Sequence, residues 1–337
     1  MSALSQQNNK RIAKNTLLLY FRMLFSMGIG LFTSRIVLES LGIEDYGIYN
    51  LVGGIVTIFA FLNSAMIATS QRFISYELGK GNLHKLKDVF CTTLTIHIAI
   101  AFIIVVLSEV IGVWFLNTKL NIPSDRMMAA NWTLQLSIFV FAVNVISVPY
   151  NASIVAHEKM SAFAYISIFE VSLKLAIAYL LLFISYDKLI VYSILVFCVA
   201  LLLRSLYCFY CKRHFEECHY TFSFNIEQFR EMFAFAGWSL VGNLGFSFKD
   251  QLSNILLNLF FGTVVNAARG ISVQVGSLIN SFSANFMMAM NPQITKSYAV
   301  GDLYRSKELV YAGCRFSFYL LAVISLPIMI NITYILN

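Results

Sequence analysis

Residues 16–38 read TLLLYFRMLFSMGIGLFTSRIVL, an apolar run interrupted by Arg22 and Arg35 and by the hydroxyls of Ser26, Thr33 and Ser34. A helix of about 20 residues, rising 1.5 Å per residue, crosses the roughly 30 Å hydrocarbon layer of a bilayer. Backbone amides find no water there, so such a run folds as a helix that satisfies its own hydrogen bonds. The stretch is longer than the apolar region of a removable signal peptide, and it is expected to remain as an uncleaved first span.

Working outward, eight further stretches of the same kind follow at 47–69, 89–115, 127–148, 163–184, 189–210, 232–261, 264–290 and 309–336. The chain has 337 residues, of which 58% are hydrophobic and 12% charged, more apolar side chain than one soluble core can hide. The expected fold class is therefore all-α, a polytopic transmembrane helical bundle.

The formal charge of +7 points to orientation rather than to nucleic acid, because the basic residues are spread over short connectors. Connectors on one side hold Lys10, Arg11, Lys14, Arg72, Lys80, Lys85, Lys87, Lys159, Arg204, Lys212, Arg213, Arg230, Lys296, Arg305 and Lys307. The other side holds Lys119, Arg126 and Lys188. By the positive-inside rule the N-terminus and the connector near 211–231 are expected in the cytoplasm. Cys91, Cys198, Cys208 and Cys314 lie in or beside spans, and with Cys211 and Cys218 they fit no disulfide framework.

An internal repeat sets the domain organisation. Gln71, Ser75 and Tyr76 recur as Gln293, Ser297 and Tyr298 at one constant offset. After a small slip, Gly81-Asn82-Leu83 recurs as Gly301-Asp302-Leu303, and Lys85, Lys87 and Asp88 recur as Arg305, Lys307 and Glu308. Matching residues occupy matching connectors, as in transporters built from duplicated halves. The expected division is a first lobe over 1–215 carrying six spans, a cytoplasmic connector over 216–231, and a partial second lobe over 232–337 carrying three. The odd span count leads to the expectation that the second lobe is incomplete.

Polar residues in spans should face protein or a wet cavity, since a mid-membrane charge costs roughly 2.5–3.5 kcal/mol on insertion scales. Arg22, Ser26 and Thr33 fall on one stripe of the first span, within roughly 40° of one another. Asn50, Thr57 and Ser64 repeat the pattern on the second, and Ser239, Asn243, Asp250 and Asn254 on the seventh. The eighth adds Asn266, Arg269, Ser277 and Asn280, while Lys249 sits off the stripe that carries Asp250. Interhelical hydrogen bonding is the structural alternative for each. Glu170 and Lys174, spaced i, i+4 with the acid first, form a favourable helical ion pair; neutralisation and a relay role both stay open.

The stretches Ser34-Arg35, Leu41-Gly42-Ile43-Glu44-Asp45-Tyr46-Gly47-Ile48-Tyr49, Thr69-Ser70-Gln71-Arg72-Phe73 and Gly79-Lys80-Gly81 resemble the Wzx-type polysaccharide flippases. These handle O-antigen and capsule repeat units and belong to the multidrug/oligosaccharidyl-lipid/polysaccharide exporter superfamily. The resemblance implies two pseudo-symmetric six-helix lobes around a cavity lined by helices one, two, seven and eight. It further implies movement of undecaprenyl-diphosphate-linked oligosaccharide across the bacterial inner membrane by alternating access. Arg22, Arg35, Arg269 and Lys249 would face the diphosphate, because guanidinium suits phosphate. Ser26, Asn50, Asn243 and Asn280 would line the cavity, with other polysaccharide assembly proteins as partners.

No catalytic residue, P-loop, nucleotide fold or hydrolase elbow is read from the sequence, so neither an enzyme nor a cofactor is expected. A proton or sodium gradient is the expected drive, with Asp250 as the ion carrier. Two rivals remain: a multidrug exporter on the same fold, and a polyprenyl-sugar-dependent glycosyltransferase using Glu44 and Asp45, which would need larger external loops. Cys208, Cys211, His214, Cys218 and His219 have ligand chemistry suited to zinc, but no finger spacing, and no metal site is expected.

Overall fold

The structure, a computed structural model, describes the backbone of residues 3–331 apart from 58, 121 and 222–224. Side chains are described for these except 3–8, 57, 60–62 and part of the 246–271 stretch. The described residues are helical almost throughout: α1 (Ala3–Thr57), α2 (Ala60–Lys80), α3 (Leu83–Leu107), α4 (Val113–Thr118), α5 (Met127–Ala156), α6 (Met160–Leu180), α7 (Lys188–His214), α8 (Ile226–Ala299) and α9 (Leu303–Ile330). A π-helical turn, Ser108–Gly112, joins α3 to α4, so the third expected span runs through both.

Six stretches among the described residues are long and apolar enough to cross a membrane by length and composition: Asn9–Val56, Leu83–Thr118, Met127–Ala156, Met160–Phe183, Lys188–His214 and Leu303–Ile330. The first merges the first expected span with the start of the second. The helix reverses direction at Gly42, whose φ of 79° and ψ of 169° break the helical path inside α1. Only glycine adopts such backbone readily, so the turn is made without an intervening loop.

The seventh and eighth expected spans also appear as one continuous helix, α8. A straight α8 would be roughly 110 Å long. Yet Glu231 and Phe235 near its start line the same cavity as Ile294, Thr295 and Tyr298 near its end. The stretch therefore doubles back and supplies two antiparallel segments. Asn243, Lys249, Arg269 and Asn280 place polar groups along both of its segments.

Asn82 and Asp302 show the sequence repeat as local structure. Asn82 Oδ1 caps α3 by accepting from Lys85 N at 3.1 Å, and Asp302 Oδ1 caps α9 by accepting from Arg305 N at 2.9 Å. Each cap follows a left-handed glycine, Gly81 (φ 72°) or Gly301 (φ 81°). One sequence pattern thus builds the same helix stop and restart twice.

Packing gathers α1, α5, α6 and α7 around Val52, Leu134, Ile138, Leu181, Leu189 and Leu203. A second core, nearer the N-terminus of α3, holds Ile74, Leu86, Phe90, Tyr150, Cys211 and Cys218. Phe102, Trp114, Phe183 and Trp238 stay exposed, as a lipid-facing surface requires.

Candidate functional site

The described contacts between α1–α7 and α8–α9 gather at the end of the bundle that carries the N-terminus and most connector cations. Arg22, part-buried on α1, donates from a terminal nitrogen to Asn285 Oδ1 at 3.0 Å and lies 4.8 Å from the centroid of the Phe163 ring. A guanidinium over an aromatic face keeps its charge without full hydration. Ser281 and Asn285 of α8 approach Met23 Sδ, and Tyr20 packs edge-on against Phe282. On the α2 side, Asn243 donates to Ser64 Oγ at 3.1 Å.

Nearer the N-terminus lies a denser node that the sequence did not single out. Glu158, in the α5–α6 turn, has a side chain only 2% exposed and a left-handed φ of 58°. Its Oε2 accepts from Arg11 Nε at 2.7 Å and from Gln293 Nε2 at 3.0 Å, while Oε1 accepts from Lys296 Nζ at 2.8 Å. Asn15 Nδ2 donates to the Glu158 carbonyl at 3.3 Å. Burial by itself raises the Glu158 carboxyl, but Lys296, Gln293 and Arg11 together hold it below the ordinary carboxylate range. Burial lowers the Lys296 ammonium, with Glu158 opposing. The preceding residue, His157, places Nε2 2.6 Å from Glu217 Oε1 and stacks on Phe215 at 4.0 Å, which pins the connector after α7 to the same turn.

Beside this node is a cavity of about 610 Å³ lined by Arg72, Phe73, Tyr76, Glu231, Phe235, Thr295 and Tyr298 among others. The Arg72 guanidinium sits 4.1 Å from the Phe235 ring centroid. The repeat-related residues Tyr76 and Tyr298 both face this cavity, so it lies between the two matching segments of the duplicated pattern.

At the opposite end, Arg126 forks between two acids. Its Nε donates to Asp45 Oδ1 at 2.8 Å and its Nη1 to Asp187 Oδ2 at 2.7 Å. Asp187 also caps α7 through the amides of Leu189 and Ile190. Burial pushes the Asp187 carboxyl up, but Arg126 and those amides hold it below its ordinary value. Asp45, one of the two acids weighed for glycosyl transfer, is thereby engaged as a structural partner, and Glu44 is exposed.

The expected cavity residues are distributed along this frame. Ser26 is half-buried, Arg35 is exposed on α1, and Asn50 is exposed and donates to the Tyr46 carbonyl at 2.9 Å. On α8, Lys249 and Asn280 are exposed and Arg269 is half-buried. The Asp250 side chain, the expected ion carrier, lies outside the described residues. Lys174 donates to Glu170 at 2.6 Å, one turn apart on α6. The six cysteines are free thiols, and among the described residues no three His, Cys, Asp or Glu side chains converge to hold a metal ion.

The Glu158 node is hidden in the sequence because Arg11 and Lys296 look like ordinary connector charges. The recurrence of Gln71 as Gln293 is the one hint that this segment carries a specific role.

Comparison with known proteins places this frame. An uncharacterized membrane protein of Bacillus subtilis, EpsK, is 19% identical over 285 residues, covering 83% of this chain. The chain spans 55% of that relative's length. An outward-facing multidrug-resistance MATE transporter of the MOP superfamily superposes with a TM-score of 0.80 at 12% identity, covering 94% of this chain and 71% of that one. The bent form of the Vibrio cholerae MATE transporter VcmN gives 0.80 at 14% identity, over 98% of this chain and 75% of that one. A MOP-superfamily transporter from Pyrococcus furiosus gives 0.75 at 13%, over 96% and 72%. The fold is that of these transporters. Residues 12–297 match the family described as polysaccharide biosynthesis protein, and the chain belongs to that family.

Proposed function

We propose that this protein is a flippase that carries undecaprenyl-diphosphate-linked oligosaccharide across the bacterial inner membrane by alternating access. The observation that carries the reading is Arg22, a part-buried cation bonded across the junction of α1 and α8. A cation kept at the seam between two helix sets can meet an anionic headgroup when the sets part, and guanidinium is suited to phosphate oxygens. Arg35 and Arg269 supply further charge along the same helices.

Membership of a polysaccharide biosynthesis family and the transporter fold support this class of cargo. The connector charge bias supports a cytoplasmic N-terminus. On that assignment the seam is closed toward the cytoplasm, and the diphosphate is released toward the outer leaflet. The drive is a proton or sodium gradient, with Asp250 as the carrier, and partners come from the rest of the glycan assembly system.

The test is deletion of the gene followed by leaflet-resolved mass spectrometry of lipid-linked oligosaccharide. Accumulation in the cytoplasmic leaflet is the expected result. Normal arrival of glycan at the outer face would overturn the proposal.

A further inference from the structure

We infer that Arg11 and Lys296 form a receiving site for a diphosphate group at the basic end of the bundle, a site that Glu158 fills from within in the present conformation. The inference rests on the flippase reading for its substrate but on its own residues for its geometry.

Four donor atoms converge on one carboxylate. Arg11 offers Nε at 2.7 Å and a terminal nitrogen at 2.6 Å, Gln293 offers an amide at 3.0 Å, and Lys296 an ammonium at 2.8 Å. Two full positive charges face a single negative one. A forked guanidinium beside an ammonium is the donor set that recognises phosphate oxygens, and a diphosphate brings more charge and more acceptors than a carboxylate. Glu158 thus resembles an internal stand-in for a stronger anion.

The donors come from separate elements. Arg11 is on α1, and Gln293 and Lys296 are on the last turns of α8, 138 residues from Glu158 in the case of Lys296. A motion that draws α8 from the α5–α6 turn breaks the Gln293 and Lys296 bonds and leaves the 2% exposed carboxylate with Arg11 and Lys296 without its anion, which is unfavourable unless another group replaces what is lost. An arriving diphosphate does this: it takes over Arg11 and Lys296 and frees Glu158 to turn toward water. Access is available, because the Arg11 side chain is 49% exposed while Glu158 is 2% exposed. Binding and unlocking are therefore one exchange of anions, and a neutral amphiphile lacks the charge to carry it out.

Purified protein in nanodiscs is titrated with undecaprenyl diphosphate in one arm and inorganic pyrophosphate in the other, with binding read by native mass spectrometry and fold by melting temperature. Glu158→Gln is expected to tighten undecaprenyl diphosphate binding about tenfold or more, the scale of a charge-assisted bond released to the ligand. Adding Lys296→Gln should abolish that gain, and Lys296→Arg should keep it. Arg11→Gln alone, made in case Glu158→Gln fails to fold, should weaken binding about tenfold. Equal binding of undecaprenyl diphosphate by all folded variants overturns the site while leaving the flippase reading intact. A gain confined to inorganic pyrophosphate upholds the site and overturns the lipid-linked cargo. No binding of either anion by any folded variant overturns the site.

Discussion

Gly79 of α2 lies directly against the backbone of Lys296: a Cβ placed on Gly79 would stand 2.8 Å from the Lys296 Cα and 3.0 Å from its carbonyl oxygen. The glycine lets the ends of α2 and α8 touch where Lys296 reaches Glu158. Gly79→Ala must push backbone aside, and overpacking of this kind costs about 1–3 kcal/mol. Cysteine pairs placed across the α2–α8 seam should crosslink more slowly in this variant, and an unchanged rate would show that the contact does not hold the seam.

Acid should loosen the Glu158 node. Its folded carboxyl lies below the ordinary value, because Lys296, Gln293 and Arg11 outweigh the burial that raises it. Such a group contributes stability that is complete above its unfolded pKa of about 4.3 and is lost as pH falls through the folded value. The melting-temperature difference between the natural protein and Glu158→Gln should stay constant from about pH 5 to 8 and shrink below about pH 4. A difference that grew in acid would contradict this sign.

Arg126→Ala should destabilise the end of the first helix set opposite the N-terminus by about 1–3 kcal/mol, since Asp45 and Asp187 both lose a charge-assisted partner. Arg126→Lys should recover only part of this, because three donors on one nitrogen cannot give both acids the paired bonds of the guanidinium. Thermal unfolding in detergent measures both, and full recovery by lysine would argue against the forked geometry.

Arg22 and Arg35 should separate structure from cargo handling. Arg22 is bonded to Asn285 and packed on Phe163, whereas Arg35 is exposed. Arg22→Ala is expected to lower both melting temperature and transport, and Arg35→Ala to lower transport about tenfold with melting within a degree or so of the natural protein. Unimpaired glycan export by Arg35→Ala would remove it from the cavity.

Much of the fold is legible in the sequence. Apolar length marks the helices, and the Gly81-Asn82 and Gly301-Asp302 pattern marks matching stops and caps. Continuity is not legible there. Gly42 reverses the chain inside α1 while the polar residues on either side, Glu39 and Ser40 before it and Glu44 and Asp45 after it, stay helical, and α8 folds back while remaining helical. The candidate site is legible only in part. Arg22 stands out because a charge inside an apolar run is costly, while Arg11, Lys296 and Glu158 sit in polar connectors where charges are ordinary.

The sequence by itself determined that the chain is a bundle of membrane helices and that the Gly81-Asn82 pattern recurs at Gly301-Asp302. These follow from sums and spacings along the chain, since transfer from water to lipid is nearly additive over neighbouring residues. Only the tertiary structure decided which charges meet. Arg11 and Glu158 are 147 residues apart, and their 2.7 Å bond depends on how α1, the α5–α6 turn and the end of α8 are rotated against one another. Packing sets those rotations, and no local pattern carries them.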